Sequence, residues 1–332
     1  MEELIGIMVR VISYAVIMIA FGFVNALIMG YLERKIAARI QRRPGPMEVG
    51  PHGILQLAVD GIKIIGKQLI IPKDVDGILF RLAPILAFAP VVLPFIVIPF
   101  SRNLQAKDFN LGLLFIVTIA SINVLTIVMA GWGSNNKYSL FGAMRSVAQN
   151  ISFEVPVLLS ILCIALMTGT YSMQKIVLAQ GKIWFILVQP LAFIIYFIAG
   201  LAETNRNPFD LPEAESELTA GFHTEYSGFG FSLFLIAEYA NMFLVCSIAT
   251  VLFLGGWQGI TLPFFEYTGA IWFLAKVYVL MLVMVWIRWT FPRVRFDQLL
   301  NFSWEYLIPL SLVNLLLTAV CIKLFPILKG MI

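Results

Sequence analysis

The sequence has little of what a redox enzyme uses to hold a cofactor. It contains only two histidines, His52 and His223, and three cysteines that lie far apart within apolar runs, Cys163, Cys246 and Cys321. Without a Cys-x-x-Cys pair, neither an iron–sulfur cluster nor a disulfide framework is expected. A glycine-rich dinucleotide fingerprint and a phosphate-binding loop are missing too. We therefore predict that this chain by itself binds no metal and no cofactor, so any electrons must come from partners.

Charged residues are also scarce, and this determines the class of protein. They make up 13% of the chain, whereas hydrophobic residues make up 60%, and the mean hydropathy is +0.90. A bilayer core of about 30 Å takes about 20 apolar residues per helix. We predict an all-α, polytopic bundle of eight transmembrane helices in a single membrane domain over residues 1–332. The eight apolar runs are residues 8–32, 79–100, 111–131, 152–170, 183–202, 232–254, 269–290 and 305–326.

Positive charge is distributed unequally between the two sets of loops. One set carries thirteen Lys and Arg residues and the other carries six. Cytoplasmic loops hold the excess of positive charge in membrane proteins. This bias explains the net charge of +4, which gives no indication of nucleic-acid binding. Because the number of spans is even, both termini are predicted on the outer side, and the predicted cytoplasmic loops are residues 33–78, 132–151, 202–231 and 291–304.

The first cytoplasmic loop contains a helix that is too polar to span the membrane. Gln56, Asp60, Lys63 and Lys67 form one stripe on a helix, and the remaining face is Ile, Leu and Val. This pattern over residues 49–71 predicts an amphipathic helix that lies along the membrane interface.

Glu33 and Arg34 stand at the predicted end of the first span. The basic residues that follow them are typical of an anchor at an anionic leaflet, and Pro44 ends the helix. An anchor does not explain an acid beside an arginine at the membrane boundary. The pair is therefore a candidate for lining a site.

Acidic residues concentrate in one segment between two apolar runs, residues 202–226. Its six acids are accompanied by a single basic residue, Arg206. Carboxylates crowded beside lipid cannot all ionise, so some are expected to exchange protons near neutral pH. Asp210 is placed to cap a helix that carries the next acids of the segment. The six acids are Glu203, Asp210, Glu213, Glu215, Glu217 and Glu225.

Two further acids lie within apolar runs. Glu154 is at the start of the predicted fourth span, and Glu238 is about two turns inside the sixth. An ionisable residue inside the membrane is a functional candidate by default. For Glu154 the alternative is a buried ion pair with Arg145 or Lys137. With the acidic segment, the two acids predict a chain of carboxyl groups from the cytoplasmic loops toward mid-membrane.

Four long stretches resemble one family, and the match runs nearly end to end. They are Glu33-Arg34-Lys35 followed by QRRPGP, then GWGSNNKYSLFGAMRSVAQNISFEVP, AETNRNPFDLPEAESELTAGFHTEYSGFGF and FPRVRFDQLL. The chain resembles the quinone-site membrane subunit of respiratory complex I, the family that holds the H subunit of bacterial NADH-quinone oxidoreductase and its mitochondrial counterpart, NADH dehydrogenase subunit 1. The PFDLPEAESEL form looks bacterial.

This resemblance implies a subunit of a proton-translocating NADH:quinone oxidoreductase in a bacterial plasma membrane. The subunit encloses a quinone tunnel and couples quinone reduction to proton translocation. Quinone is the substrate, whereas FMN and iron–sulfur clusters belong to partner subunits. The partners implied are the peripheral-arm quinone-site subunits, small membrane subunits and antiporter-like subunits. The matched tunnel residues are Glu33, Arg34 and Asp210, and the matched proton-relay residues are Glu154, Glu203, Glu213, Glu215, Glu217 and Glu238.

Other functions remain open from the residues alone. Buried acids also suit a stand-alone proton transporter or channel, although inverted repeats with paired broken helices are not evident. A passive docking platform would use the same acids only to contact basic partners. The homologous membrane subunit of a membrane-bound hydrogenase shares much of the pattern and needs no quinone tunnel.

Overall fold

The computed structural model describes residues 2–212, 218–259 and 268–324, which form helices and loops but no strands. Seven helical stretches among these residues are long and apolar enough to cross a membrane. The protein is therefore an all-α, multi-pass membrane protein, as predicted. In chain order the helices are α1 (Glu2–Ile40), α2 (Gln56–Ile65), α3 (Gly77–Val92), α4 (Gly112–Gly133), α5 (Lys137–Thr168), α6 (Met173–Ala179), α7 (Phe185–Val188), α8 (Pro190–Glu203), α9 (Gly228–Phe253), α10 (Thr268–Thr290), α11 (Phe296–Asn301) and α12 (Ile308–Leu324).

One predicted span, residues 183–202, is shorter than a full transmembrane helix. It is divided into the single turn α7 and the 14 residues of α8. Pro190 begins α8, and the residue before it, Gln189, has a non-helical backbone. Proline disfavours the helical conformation at the preceding residue and has no N–H to continue a helix. The count of eight spans is therefore approximate.

The end of the first span differs from the prediction. Because α1 continues to Ile40, Glu33 and Arg34 are helical and do not begin a loop. The chain meets no glycine or proline between Glu33 and Ile40, and residues such as Ala, Arg and Glu favour the helix. The charged pair therefore lies within α1 and not at its end.

The amphipathic helix predicted over residues 49–71 is confirmed but is shorter. It covers Gln56–Ile65 and ends at Gly66. The chain before it turns at Gly50 and Gly53, which have backbone φ angles of 75° and 78°. This left-handed region favours glycine, so the helix begins only after the turn.

The predicted fourth span begins earlier than expected, because most of the predicted loop over residues 132–151 belongs to the same continuous helix, α5. The side chain of Asn136 accepts a hydrogen bond of 2.9 Å from the backbone N–H of Tyr138 and so caps α5. The helix then runs for 32 residues to Gly169, which is left-handed. Pro156 is retained inside it.

Helix α9 lies at the centre of the bundle. It is the most buried of the seven candidate spans, with 78% of its most apolar window inside the protein. Aromatic rings from α1 and from the segment after α3 meet it edge to face: Phe21 and Phe95 lie 5.0 Å and 5.6 Å from the ring of Phe243. The residues in the first half of α9, including Glu238 and Tyr239, are therefore held by helices on several sides.

Candidate functional site

A groove of about 420 Å³ lies between α1, α2 and α9. Apolar side chains from all three helices line most of it, and Arg34 and Asp60 supply its charged edge. Gly30 lets the helices approach, because a Cβ at this position would stand 2.8 Å from a methyl carbon of Leu57. Tyr239 reaches the groove from α9.

The charged edge of the groove is an ion pair between α1 and α2. Arg34 Nη1 donates to Asp60 Oδ2 at 2.6 Å, and Gln56 Nε2 donates to Asp60 Oδ1 at 3.0 Å. Burial alone raises the pKa of Asp60, but the hydrogen bonds from Arg34 and Gln56 outweigh it and lower that pKa below its usual value. Asp60 of the polar stripe predicted on the amphipathic helix therefore holds that helix to α1.

Glu33 points away from the groove and into the protein. The residue is 5% exposed, and its carboxylate accepts hydrogen bonds from Arg206 Nη1 at 2.7 Å, from the Tyr239 hydroxyl at 2.9 Å and from Arg288 Nη1. Arg206 also lies over the ring of Tyr239, with 4.2 Å between the guanidinium carbon and the ring centre. One carboxylate thus joins α1, the acidic segment, α9 and α10.

The cluster of Glu33, Arg206 and Arg288 carries a net positive charge, because it combines two guanidinium groups with one carboxylate. Burial alone lowers the pKa of Arg206, but the carboxylate of Glu33 outweighs it and raises that pKa. Arg206 therefore stays protonated although it is only 3% exposed. Sequence reasoning did not place Arg206 or Arg288 in a site.

The three residues predicted to line a tunnel have different positions. Arg34 lies on the groove. Glu33 does not line the groove itself. The side chain of Tyr239 separates them, because it lines the groove and its hydroxyl donates a hydrogen bond to Glu33. Asp210 is partly buried and lies two residues before the described range ends at residue 212. It is not among the described residues that line the groove.

Glu154 and Glu203 come together at the interface of α5 and α8. They line the same two small cavities, of about 30 Å³ and about 10 Å³. The hydroxyl of Ser121 in α4 donates a hydrogen bond to Glu154. A cavity needs roughly 10–15 Å³ to hold one water molecule, so the larger cavity has room for water between polar groups.

Glu238 lies beside the buried ring of His223. Its Oε1 is 3.6 Å from His223 Nε2, and the imidazole is packed against Phe222 and Phe234 at centroid distances of 3.8 Å and 5.0 Å. Sequence analysis did not select His223, although it is one of only two histidines and lies inside the acidic segment.

Small cavities that share a lining residue lie beside the two groups of acids. A cavity of about 30 Å³ is lined by His223 and Glu238 and by Asn241. Asn241 also lines the larger cavity that Glu154 and Glu203 share. The four titratable groups therefore line neighbouring small cavities within the bundle.

The start of the acidic segment is tied to α5. Gln149 Nε2 donates to the carbonyl oxygens of Ala202 and Phe209 at 2.7 Å and 2.8 Å. Near the other end, Glu225 accepts a hydrogen bond of 2.6 Å from Asn136. Three acids predicted for the relay, Glu213, Glu215 and Glu217, lie outside the described residues.

The similarity of the chain to known proteins is extensive. A family model described as NADH dehydrogenase matches residues 12–319. The chain belongs to the NADH dehydrogenase family. This membership confirms the resemblance carried by the four long stretches.

Relatives within the NADH dehydrogenase family match almost the whole chain. The H subunit of the NADH-quinone oxidoreductase of Desulfotalea psychrophila is 50% identical over 330 residues, which cover 96% of this chain and 98% of that protein. The protein of the same name from Dehalococcoides mccartyi strain CBDB1 is 50% identical and covers 96% of this chain and 88% of its own length. The one from Bacteroides thetaiotaomicron is 46% identical, with 97% and 93% covered.

Proposed function

We propose that this chain is the quinone-side membrane subunit of a proton-translocating NADH:quinone oxidoreductase, respiratory complex I. Its membership of the NADH dehydrogenase family supports this function, as do its relatives named as the H subunit of NADH-quinone oxidoreductase. The chain is then one subunit of an enzyme complex. The electrons reach quinone from FMN and iron–sulfur clusters carried by partner subunits.

The groove between α1, α2 and α9 carries the proposal. Its apolar walls suit the hydrocarbon tail of a quinone, and the Arg34–Asp60 pair provides polar contacts at one edge. The net positive cluster of Glu33, Arg206 and Arg288 lies behind Tyr239. A fixed positive charge stabilises negative charge that develops nearby on a reduced quinone. Arg34 on the groove and Glu33 in this cluster are accordingly proposed as quinone-tunnel residues, and Asp210, which is not among the described residues lining the groove, is proposed with them on the family resemblance alone.

The small cavities lined by titratable groups support a route for protons away from the groove. His223 and Glu238 share one cavity, and Glu154 and Glu203 share two others. Carboxyl and imidazole groups pass protons to one another directly or through bridging water. We assign six acids to the relay: Glu154, Glu203, Glu213, Glu215, Glu217 and Glu238. His223 is added to them, because the structure places its ring beside Glu238.

The setting follows from the same function. The complex lies in a bacterial plasma membrane, with both termini of this chain on the periplasmic side. The cytoplasmic loops contact the peripheral-arm subunits that deliver electrons. The carboxyl chain passes its change in protonation on to the small membrane subunits and the antiporter-like subunits.

The decisive experiment replaces Glu203 by Gln in the assembled complex. Glutamine keeps the size of the side chain but cannot exchange a proton, so we expect NADH-driven proton transport to fall at least about tenfold while the complex still assembles. The matched control is Glu305→Gln, because Glu305 is an exposed acid outside the cavities. Full coupled turnover in Glu203→Gln membranes would overturn the relay.

The same membranes distinguish the rival functions. Proton flux through the purified chain alone in liposomes would indicate a self-sufficient transporter. Loss of assembly in Glu203→Gln would indicate a docking platform. Co-purification with hydrogenase subunits, without NADH:quinone reductase activity, would indicate the hydrogenase relative.

A further inference from the structure

Pro156 weakens the turn of α5 that carries Glu154. A proline inside a helix has no N–H to donate to the carbonyl four residues earlier. In α5 that carbonyl belongs to Ser152, and Glu154 lies between the two residues. The backbone that aims Glu154 therefore depends on a donor from elsewhere in the protein.

Ser303, far along the chain, supplies that donor. Its hydroxyl donates to the Ser152 carbonyl at 2.6 Å, and the Ser303 side chain is fully buried. The indole N–H of Trp304 donates to the Ser152 hydroxyl at 3.1 Å. That hydroxyl in turn donates to the carbonyl of Ala148 at 2.7 Å. Ser303 and Trp304 thus bind the carbonyl oxygen and the hydroxyl of Ser152, respectively.

A rare backbone conformation presents these two residues. Residues Phe302–Leu307 form a π-helical segment between α11 and α12. A π-turn inserts an extra residue into a helix, changes the direction of its side chains, and occurs often at functional sites. Here the wide turn lies where the last helix meets α5 at Ser152.

We propose that Ser303 and Trp304 are positioning residues for Glu154. They replace the hydrogen bond that Pro156 removes, and so they fix the turn of α5 from which Glu154 faces Ser121 and the cavities shared with Glu203. The inference rests on the proposed function, because it gives the last helix a part in the proton relay. Neighbouring helices commonly satisfy carbonyls freed by proline in membranes, but here the turn that they hold carries a relay acid.

A double-mutant cycle in the assembled complex tests this inference. Ser303→Ala removes the donor, so we expect NADH-driven proton transport to fall about two- to tenfold, the range of one net hydrogen bond. Pro156→Ala restores a backbone N–H to the Ser152 carbonyl. In that background Ser303→Ala is expected to have no further effect. An equal loss in both backgrounds overturns the inference.

Two further variants separate positioning from general stability. Ser303→Thr keeps the hydroxyl and is expected to restore transport. Ser311→Ala removes another buried hydroxyl of the last span, which donates only to Ile308 of its own helix at 2.8 Å, and is expected to leave transport unchanged. If Ser303→Ala fails to assemble, the same cycle is measured on assembly: recovery of assembly in the Pro156→Ala background supports the inference, and failure in both backgrounds overturns it.

The pH profile of proton transport distinguishes a change in the position of Glu154 from a general loss of stability. A misplaced Glu154 changes the pH at which transport is half-maximal, whereas simple loss of protein lowers transport equally at every pH. Glu154→Gln separates the two proposals. Full activity in that variant overturns the relay at Glu154 and this inference with it, whereas an inactive Glu154→Gln with an additive cycle overturns this inference alone.

Discussion

At the scale of single residues, neighbours in sequence have opposite environments. Glu33 and Arg34 are adjacent in α1, and successive residues of a helix point about 100° apart. Glu33 therefore enters the protein, where it meets Arg206, whereas Arg34 reaches Asp60 at the groove. The two ion pairs differ in exposure: the side chains are 3% and 7% exposed for Arg206–Glu33, and 48% and 25% for Arg34–Asp60.

This difference predicts unequal costs of removing each carboxylate. Glu33→Gln removes the carboxylate that pairs with the buried Arg206 and the partly exposed Arg288, so we expect a loss of about 3–5 kcal/mol in the free energy of unfolding. Asp60→Asn breaks the more exposed pair and is expected to cost about 1 kcal/mol or less. The measurement is the thermal unfolding midpoint of the chain in the purified complex. Similar midpoints for the two variants would contradict the prediction.

At the scale of elements, close approach of α1 and α2 shapes the groove. Gly30 contributes no Cβ, and the nearest methyl carbon of Leu57 occupies the space that a Cβ would need. The Arg34–Asp60 pair then holds the amphipathic helix at this distance. Sequence periodicity predicts the amphipathic face of α2 but does not say which helix lies beneath it.

Gly30→Val is expected to narrow the groove. The new side chain displaces Leu57, and overpacking of this kind costs about 1–3 kcal/mol. If quinone occupies the groove, the KM for quinone in NADH:quinone reductase assays rises on the order of tenfold, with a smaller change in kcat. Gly77→Ala is the control, because a Cβ there meets nothing within 4 Å. An unchanged KM in Gly30→Val would place quinone elsewhere.

At the scale of the whole molecule, the bundle is also fastened at the end opposite to the acidic segment. Lys276 of α10 donates to the carbonyl oxygens of Leu254, Gly256 and Gln258 at 2.7 Å, 3.1 Å and 2.6 Å. Its ammonium lies 4.4 Å from the ring centre of Trp184. A cation at the C-terminal end of a helix is favourable. Lys276 therefore links α10 to the residues that follow the C-terminal end of the central helix α9.

Lys276→Met is expected to loosen this end of the bundle. Methionine fills similar volume but leaves three carbonyl oxygens without their donor, and hydrogen bonds to charged groups contribute about 1.5–3 kcal/mol each. We expect a fall of several degrees in the thermal unfolding midpoint of the purified complex. Lys323→Met, at the exposed end of α12, is expected to leave the midpoint unchanged. An unchanged midpoint in Lys276→Met would mean that the lysine does not fasten α9.

Much of this protein follows from its sequence. Apolar runs predict the order of the spans and, approximately, their number, because helix formation in lipid depends on local hydrophobicity. The sequence singles out Glu154 and Glu203 as acids in or beside apolar runs, and these two line the same cavities, whereas their part in a proton relay stays a prediction. Pro190 is a local signal for the break between α7 and α8, because proline disrupts the helix in the residues next to it.

Only the tertiary structure decided which groups meet. Arg288 lies 255 residues from Glu33, and Ser303 lies 151 residues from Ser152. His223 became a neighbour of Glu238 through the packing of its ring among phenylalanines. Hydropathy and helix breakers act over a few residues, whereas these contacts depend on how helices distant in sequence pack together. The sequence alone therefore determined the spans and the acids, and packing selected their partners.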